Sequence, residues 1–446
     1  MERNNMSNPL LIAYYGDDFT GSTDALEVLC MAGAEAILFI EPPSPEQIAA
    51  YPTIQAIGVA GKTRAMDPQA MDETLTKAFA QLKNLSPNHV HYKVCSTFDS
   101  SPTVGSIGKA IEIGLCIFNR KFIPLLVAAP SLGRYSLFGN LFARMGIGSK
   151  GSIYRLDKHP SMSKHPVTPA TESDLRLHLA KQTNQRIELV DVLQIDQATD
   201  AIIDTIDSYT NESTAIVLFD ALHEKQLPKI GAVIDGYSKS QTLFSVGSSG
   251  ITSALTSHWI NQSILFPKNN WPIIAPAKPL LVMSGSCSPV TAAQIKWAVS
   301  NGFKEVKLNT TQIQNKEAAE MLVQQAIATT ITYLLEGISV IVHTGPRLQN
   351  NISSNTIGTI LGTIAKEAIE KTNIKRLVIA GGDTSSYAAL VLGIQAVQMI
   401  APLVIGSPLC KAISYNTAIQ NIEVNFKGGQ VGSENYFGIL ESGKIN

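Results

Sequence analysis

LLIAYYGDDFTGSTDALEVLCMAG, residues 10–33, is a complete strand–turn–helix unit written in sequence. The run LLIAYY is apolar without alternation and stops at Gly16, the signature of a strand buried in a parallel sheet. A helical stretch, STDALEVLCMAG, follows the turn, and Gly33 is placed to end it. The same grammar recurs along the chain. AEAILFI, HVHYKVCSTF, FIPLLVAAP and TAIVLFD are further strands, while ESDLRLHLAKQT and DQATDAIIDTID carry helical spacing. Asp67-Pro68 opens another helix, with Asp as cap and Pro at the first helical position. TLFSVGSSGITSALTSHW, LLVMSGSCSPVTAAQIKWAV and RLVIAGGDTSSYAALVLG each repeat strand, glycine turn and helix. Strands alternating with helices predict an α/β fold in which each domain is a mostly parallel sheet flanked by helices.

Length predicts two such domains, because 446 residues exceed what a single core of roughly 250–300 residues serves. FPKNNWPIIAPAKP, residues 266–279, holds four prolines and no periodicity and suits a linker. The expected division is residues 1–265, linker 266–279 and residues 280–446. With 45% hydrophobic and 16% charged residues, the chain can fill large cores, which excludes a disordered protein. A formal net charge of -1 without basic stripes argues against a nucleic-acid partner. No apolar run approaches the roughly 18 residues of a membrane span, and the polar start lacks a secretory signal. Five scattered cysteines without CxxC spacing read as reduced thiols, so the cytoplasm is the expected compartment.

Ligands of open α/β sheets bind beyond the carboxyl ends of the strands, so the loops there are where chemistry is sought. GDDFTGSTD (16–24) offers Asp17 and Asp18, one carboxylate more than a helix cap needs. Either could accept a proton from a hydroxyl under attack. GKTR (61–64) and YKVCSTFDSS (92–101) supply Arg64 and Lys93 with Ser96 and Thr97, a set able to hold an acidic sugar. SGSCSP (284–289), GGDTSS (381–386) and KGGQVG (427–432) are small-residue turns at which backbone amides can approach phosphates. GxxxxGK[ST], GxGxxG after the first strand, the protein-kinase catalytic loop and GxSxG are all missing. His159 and His165 lack partner spacing for a metal and read as loop residues, and Cys287 as a packed small residue.

Taken in order, these loops resemble the four-carbon acid sugar kinase family across nearly the whole chain. GDDFTGSTD is similar to its ADD-x-TGA, YKVCST to its YK-x-DST, and HPVTPATESDL to its HPVTPMTEADL. LLVMSGSCSPVTAAQI, GGDTSS and FKGGQVGSENYF are similar to its nucleotide-domain elements. The resemblance implies transfer of the γ-phosphoryl group of ATP, with Mg2+ carried mostly on the phosphates, to a hydroxyl of threonate, erythronate, 3-oxo-tetronate or a related acid. It implies acid-sugar contacts at Asp18, Arg64, Lys93, Val94, Cys95 and Ser96. ATP contacts are implied at Ser284, Gly381, Gly382, Asp383, Thr384, Lys427, Gly428, Gly429 and Gln430. Asp17 or Asp18 is the implied general base, and no metal ligand set is implied. The family carries Asp where Cys95 stands and LRGN where Phe98, Asp99, Ser100 and Ser101 stand. That departure points to a different hydroxyl pattern or a branched skeleton such as 3-oxo-isoapionate. A homodimer is one candidate assembly. The rivals are a non-catalytic sensor that kept both sites and a nicotinamide-dependent oxidoreductase.

Overall fold

The computed structural model describes residues 9–145, 151–165, 167–314, 316–345 and 352–444. The chain forms two compact units, an α/β fold with mostly parallel sheets. The first comprises residues 1–17, 28–37 and 41–269, and the second residues 18–27, 38–40 and 270–446.

In chain order the first eleven strands are β1 (Ile12–Gly16), β2 (Ala36–Phe39), β3 (Ala56–Ala60), β4 (His89–Lys93), β5 (Phe122–Leu126), β6 (Arg134–Leu137), β7 (Asn140–Arg144), β8 (Ile153–Arg155), β9 (Arg186–Val190), β10 (Ala215–Phe219) and β11 (Leu243–Gly247). In the first unit the order β3-β1-β4-β11-β5-β10-β9 is parallel throughout. β1, β3, β4, β5, β10 and β11 are buried at every residue, as strands covered on both faces must be. Helix α1 (Phe19–Met31) ends at Gly33, whose φ of +94° suits only glycine at low cost. Helix α2 (Pro68–Asn84) starts as its sequence predicts, the Asp67 carboxylate accepting from the amides of Gln69 and Ala70. Helices α3 (Ile107–Phe118) and α4 (Ser249–Asn261) follow β4 and β11.

Two readings need correction. The strand expected to run through HVHYKVCSTF stops at Lys93: the Val94 amide still bonds the Gly247 carbonyl, and the chain then turns, Phe98 taking φ +57°. ESDLRLHLAKQT is helical only over Leu175–Leu179, where Asp174 caps a short turn. The antiparallel ribbon β6-β7-β8 had no counterpart in the sequence reading.

The second unit holds β12 (Leu281–Ser284), β13 (Lys304–Lys307), β14 (Val340–His343), β15 (Arg376–Ala380), β16 (Ile394–Ala401), β17 (Leu409–Ser414) and β18 (Glu423–Lys427). Their order is β13-β14-β12-β15-β18-β17-β16, parallel except where β17 pairs antiparallel with both neighbours. The helices used below are α5 (Pro289–Ser300), α6 (Lys316–Leu335), α7 (Ser354–Lys371), α8 (Gly382–Val391) and α9 (Tyr436–Ser442). Leu38 and Phe39 of β2 pair antiparallel with Val397 and Ala396, and the Phe19 ring lies 4.1 Å from that of Phe426. Among the described residues no helix is long and apolar enough to cross a membrane.

Glu27 of α1 is buried in this unit and accepts from the Gly406 amide at 2.5 Å. Burial pushes its carboxyl up to about 8, with the Asp24 charge adding to the rise. Between the ordinary carboxyl range and pH 8 the folded chain therefore holds a proton that the unfolded chain releases, and stability falls as pH rises across that window. Glu27→Gln should flatten this slope in melting scans from pH 5 to 9. A slope identical to the wild type would remove Glu27 as its source.

Candidate functional site

The turn after β1 sends its two carboxylates to different partners. Asp17, 3% exposed, belongs to the first unit, where its amide bonds the Lys93 carbonyl. Its two oxygens accept from Arg64, Nε to Oδ2 at 3.0 Å and Nη2 to Oδ1 at 2.6 Å. The Arg64 amide in turn bonds the Asp17 carbonyl, so both side chains rise from one backbone junction. This fork fixes the plane of a guanidinium whose side chain stays 25% exposed, as a carboxylate receptor requires. Gly61 lets the loop carrying Arg64 come this close: a Cβ there would lie 2.2 Å from the Gly16 carbonyl oxygen.

Lys93 at the end of β4 is buried, and its ammonium donates to the Val94 carbonyl at 3.1 Å. The Cys95 thiol and the Thr97 hydroxyl are 2.9 Å apart. Burial pushes that thiol up to about 11, and the nearby Asp99 carboxylate pushes the same way, so Cys95 is a neutral thiol near pH 7. Arg64 opposes the shift and Asp17 adds to it, so all three charges act on one crevice. Ser96 is half-buried beside it, and Asp99 Oδ1 is buried with no hydrogen-bond partner among the described residues. Asp17, Arg64, Lys93, Val94, Cys95 and Ser96 thus come together beyond the carboxyl ends of β1, β3 and β4. His159 and His165 are engaged in their own loop, the ring of His159 accepting from the amides of Ser161 and Met162 and that of His165 from the amide of Thr168.

Asp18 belongs to the second unit. Its Oδ1 accepts from the Gly21 amide at 2.7 Å and its Oδ2 from the Thr20 hydroxyl at 2.9 Å. A Cβ on Gly382, at the head of α8, would stand 2.9 Å from Asp18 Oδ2, and one on Gly428 would stand 3.8 Å from Thr20 Oγ1. The carboxylate therefore lies against the turn that opens α8.

Three small-residue turns meet beyond β12, β15 and β18. A cavity of about 220 Å³ lies among Gly285, Ser286, Gly381, Gly382, Thr384 and Gly429. Side chains would close it from within: a Cβ on Gly285 would fall 2.3 Å from Thr384 Oγ1, and one on Gly429 3.2 Å from Ser286 Oγ. Gly381 adopts φ +120° and α8 starts without a side-chain cap, which leaves its first amides to an outside acceptor. Ser284 Oγ is buried at the end of β12 with no hydrogen-bond partner among the described residues. A glycine-walled cavity, uncapped amides and an orphaned hydroxyl suit a polyphosphate. Gln430 is exposed on the third turn, and the Asp383 side chain lies outside the described residues.

Lys427 behaves unlike a surface phosphate ligand. It is fully buried, and its ammonium donates to Thr291 Oγ1 at 3.0 Å and to the carbonyls of Gly428 at 2.9 Å and Gly429 at 3.5 Å. Burial pulls the amine down to about 7. It ties down the Gly428–Gly429 turn, with Thr291 donating to the same Gly429 carbonyl. Thr20 is placed by sequence as a hydrogen-bonding neighbour of the two acids, and it does bond Asp18, whereas Thr291 escaped the sequence reading, since a threonine in a helix carries no signal of the carbonyl it will meet.

Residues 12–255 match a family described as a sugar-binding N-terminal domain, and residues 281–437 one described as a nucleotide-binding C-terminal domain. A 3-oxo-isoapionate kinase from Paraburkholderia graminis is 39% identical over 98% of this chain and 95% of its own. A 3-oxo-tetronate kinase from Pseudomonas savastanoi is 26% identical, over 97% of both chains. Crystal structures of proteins from Salmonella typhimurium and Haemophilus influenzae share the fold. Their TM-scores are 0.76 and 0.67 at 22% identity, over 98% and 96% of this chain and 100% and 98% of theirs. The chain belongs to the four-carbon acid sugar kinase family, built from a sugar-binding N-terminal and a nucleotide-binding C-terminal domain.

Proposed function

We propose that this chain is an ATP-dependent kinase that phosphorylates a hydroxyl of 3-oxo-isoapionate or a close structural relative. The observation that carries the choice of acid is the 39% identity to a 3-oxo-isoapionate kinase along 98% of the chain, against 26% to the 3-oxo-tetronate kinase. Cys95 and Asp99 support it: a neutral thiol and an acceptor-rich carboxylate suit hydroxyls rather than a second acidic group.

In this reading Arg64, held flat by Asp17, takes the substrate carboxylate as a fork. The crevice around Lys93, Val94, Cys95 and Ser96 reads the hydroxyls. Ser284 and the turns Gly381–Thr384 and Gly428–Gly429 cradle the phosphates of ATP, Lys427 holding the latter turn from behind. Mg2+, carried on the phosphates, would offset charge that develops during transfer. We assign the base to Asp18. A guanidinium on both oxygens of Asp17 commits that carboxylate to orienting Arg64, whereas the Asp18 carboxylate lies against Gly382 at the head of α8, beside the turns that cradle the phosphates.

ADP release should be followed over a panel of four- and five-carbon acid sugars with ATP and Mg2+. Highest kcat/KM for 3-oxo-isoapionate is expected, and no ADP from any acid while ATP still binds would overturn the kinase reading. Arg64→Gln should raise the acid KM by about 10- to 100-fold, as loss of a charged hydrogen-bonded fork does, and leave the ATP KM near wild type. An unchanged acid KM would remove Arg64 as the carboxylate receptor.

A further inference from the structure

HPVTPATESDL, residues 165–175, has no part in the site described above, yet it covers the turn at which this chain departs from its family. Thr168, Ala170 and Leu175 of that stretch line a small cavity together with Thr97, Phe98 and Asp99. The cavity leaves about 10 Å³ for the centre of a water-sized group, room for a single hydroxyl. We infer that it takes the hydroxyl of a hydroxymethyl branch on the acid sugar, and that Asp99 is the residue that selects for the branch. The inference rests on the acid-sugar kinase reading proposed above and adds which part of the acid meets which side chain.

The cavity adjoins the substrate crevice through Thr97, whose hydroxyl is 2.9 Å from the Cys95 thiol. Its turn is set in place at a conformational cost. Phe98, 2% exposed, holds φ +57°, which a bulky side chain rarely adopts, and such strain gathers where a loop must present a neighbour in one direction. Ser100 locks the turn: its hydroxyl donates to the Phe98 carbonyl at 3.0 Å and accepts from Gln182 Nε2 at 2.9 Å, with His178 Nε2 3.0 Å away. Asp99 Oδ1 is left buried without a hydrogen-bond partner among the described residues, a state that costs free energy until a donor arrives. A hydroxyl both gives and takes. Asp99 Oδ1 accepts its proton, and the Thr97 O–H can return one, the neutral Cys95 thiol supplying Thr97 with a donor of its own. An apolar branch would leave Asp99 Oδ1 unmet, and a second carboxylate would meet the charge of Asp99 and of Glu172, which lines the same cavity. A metal ion lacks ligands there, since among the described residues no three His, Cys, Asp or Glu side chains gather to hold one.

3-Oxo-isoapionate bears a hydroxymethyl branch that 3-oxo-tetronate lacks, so this pair of acids isolates the cavity. The full chain is assayed with ATP and Mg2+ on both acids, for the wild type, Asp99→Asn and Ala170→Val. The wild type should prefer the branched acid by about 100-fold or more in kcat/KM, because the unbranched acid leaves a buried acceptor unpaired. Asp99→Asn keeps the shape but removes the charge, and should cut that preference by about tenfold or more, with the ATP KM near wild type. Ala170→Val narrows the cavity and should cut the preference as well. If no acid yields ADP with the wild type, the kinase reading fails and takes the inference with it. If the wild type does not prefer the branched acid, or Asp99→Asn leaves the preference as it was, the kinase reading stands and the branch cavity falls. Full preference retained in Ala170→Val would likewise remove the cavity from the selection.

Discussion

Asp18→Asn should lower turnover by about 10²- to 10⁴-fold, the loss expected when a positioned general base is removed. ADP affinity should stay near that of the wild type. The substitution keeps shape and one acceptor oxygen, so the bonds from Thr20 and Gly21 are weakened rather than vacated. Asp17→Asn gives the contrasting result, because Asp17 orients Arg64: its main effect should be a higher acid KM. Steady-state kinetics with both substrates varied, plus calorimetry with ADP, read the difference. If Asp18→Asn turns over normally while Asp17→Asn is dead, the two roles are reversed.

The largest effect on stability is expected at Arg376, the first residue of β15 and 1% exposed. Its guanidinium meets Glu423 Oε2 from Nε at 2.7 Å and from Nη2 at 2.6 Å. Nη2 also donates to the Ala275 carbonyl at 2.9 Å, and Nη1 to the Leu440 carbonyl in α9. One side chain thus joins a central strand, the proline-rich segment and the last helix. Arg376→Met leaves two carbonyls and a part-exposed carboxylate without their donor, and should cost about 2–4 kcal/mol, at about 1–3 kcal/mol for each buried acceptor left unmet. Urea unfolding measures it. Adding Glu423→Gln should recover part of the loss, because the stranded charge goes with it. A cost under about 1 kcal/mol would mean that water or a rearranged chain takes over those partners.

The parallel strands were legible because burial on both faces leaves an unbroken apolar run with a sharp polar or glycine end, seen in LLIAYY before Gly16 and in TAIVLFD, which closes at Asp220. The ribbon β6-β7-β8 was not, since its strands are short and half-exposed, and RYSL or IYR resembles any loop. Loops GDDFTGSTD, GKTR and YKVCST stood out because two acids, or a cation among hydroxyls, exceed what a turn requires. What no local pattern reveals is where a side chain goes. Asp17 and Asp18 look equivalent in sequence, yet one meets Arg64, 47 residues along, and the other lies against Gly382. Lys427 likewise looks like a phosphate ligand in sequence, yet it is buried and its ammonium donates to Thr291 and to the carbonyls of the turn that follows it. Arg376 and Glu423 are 47 residues apart and carry no motif.

Residues 18–27 and 38–40 count with the second unit although more than two hundred residues precede its main body. An expression clone starting at the proline-rich segment would lack the ring that packs at a tilt against Phe426, the acid that accepts from the Gly406 amide, and the strand that pairs with Ala396 and Val397. Such a truncated polypeptide should be recovered insoluble or as aggregates. Supplying residues 1–45 in trans, as a separate peptide, would then be the first route to a soluble nucleotide-binding half.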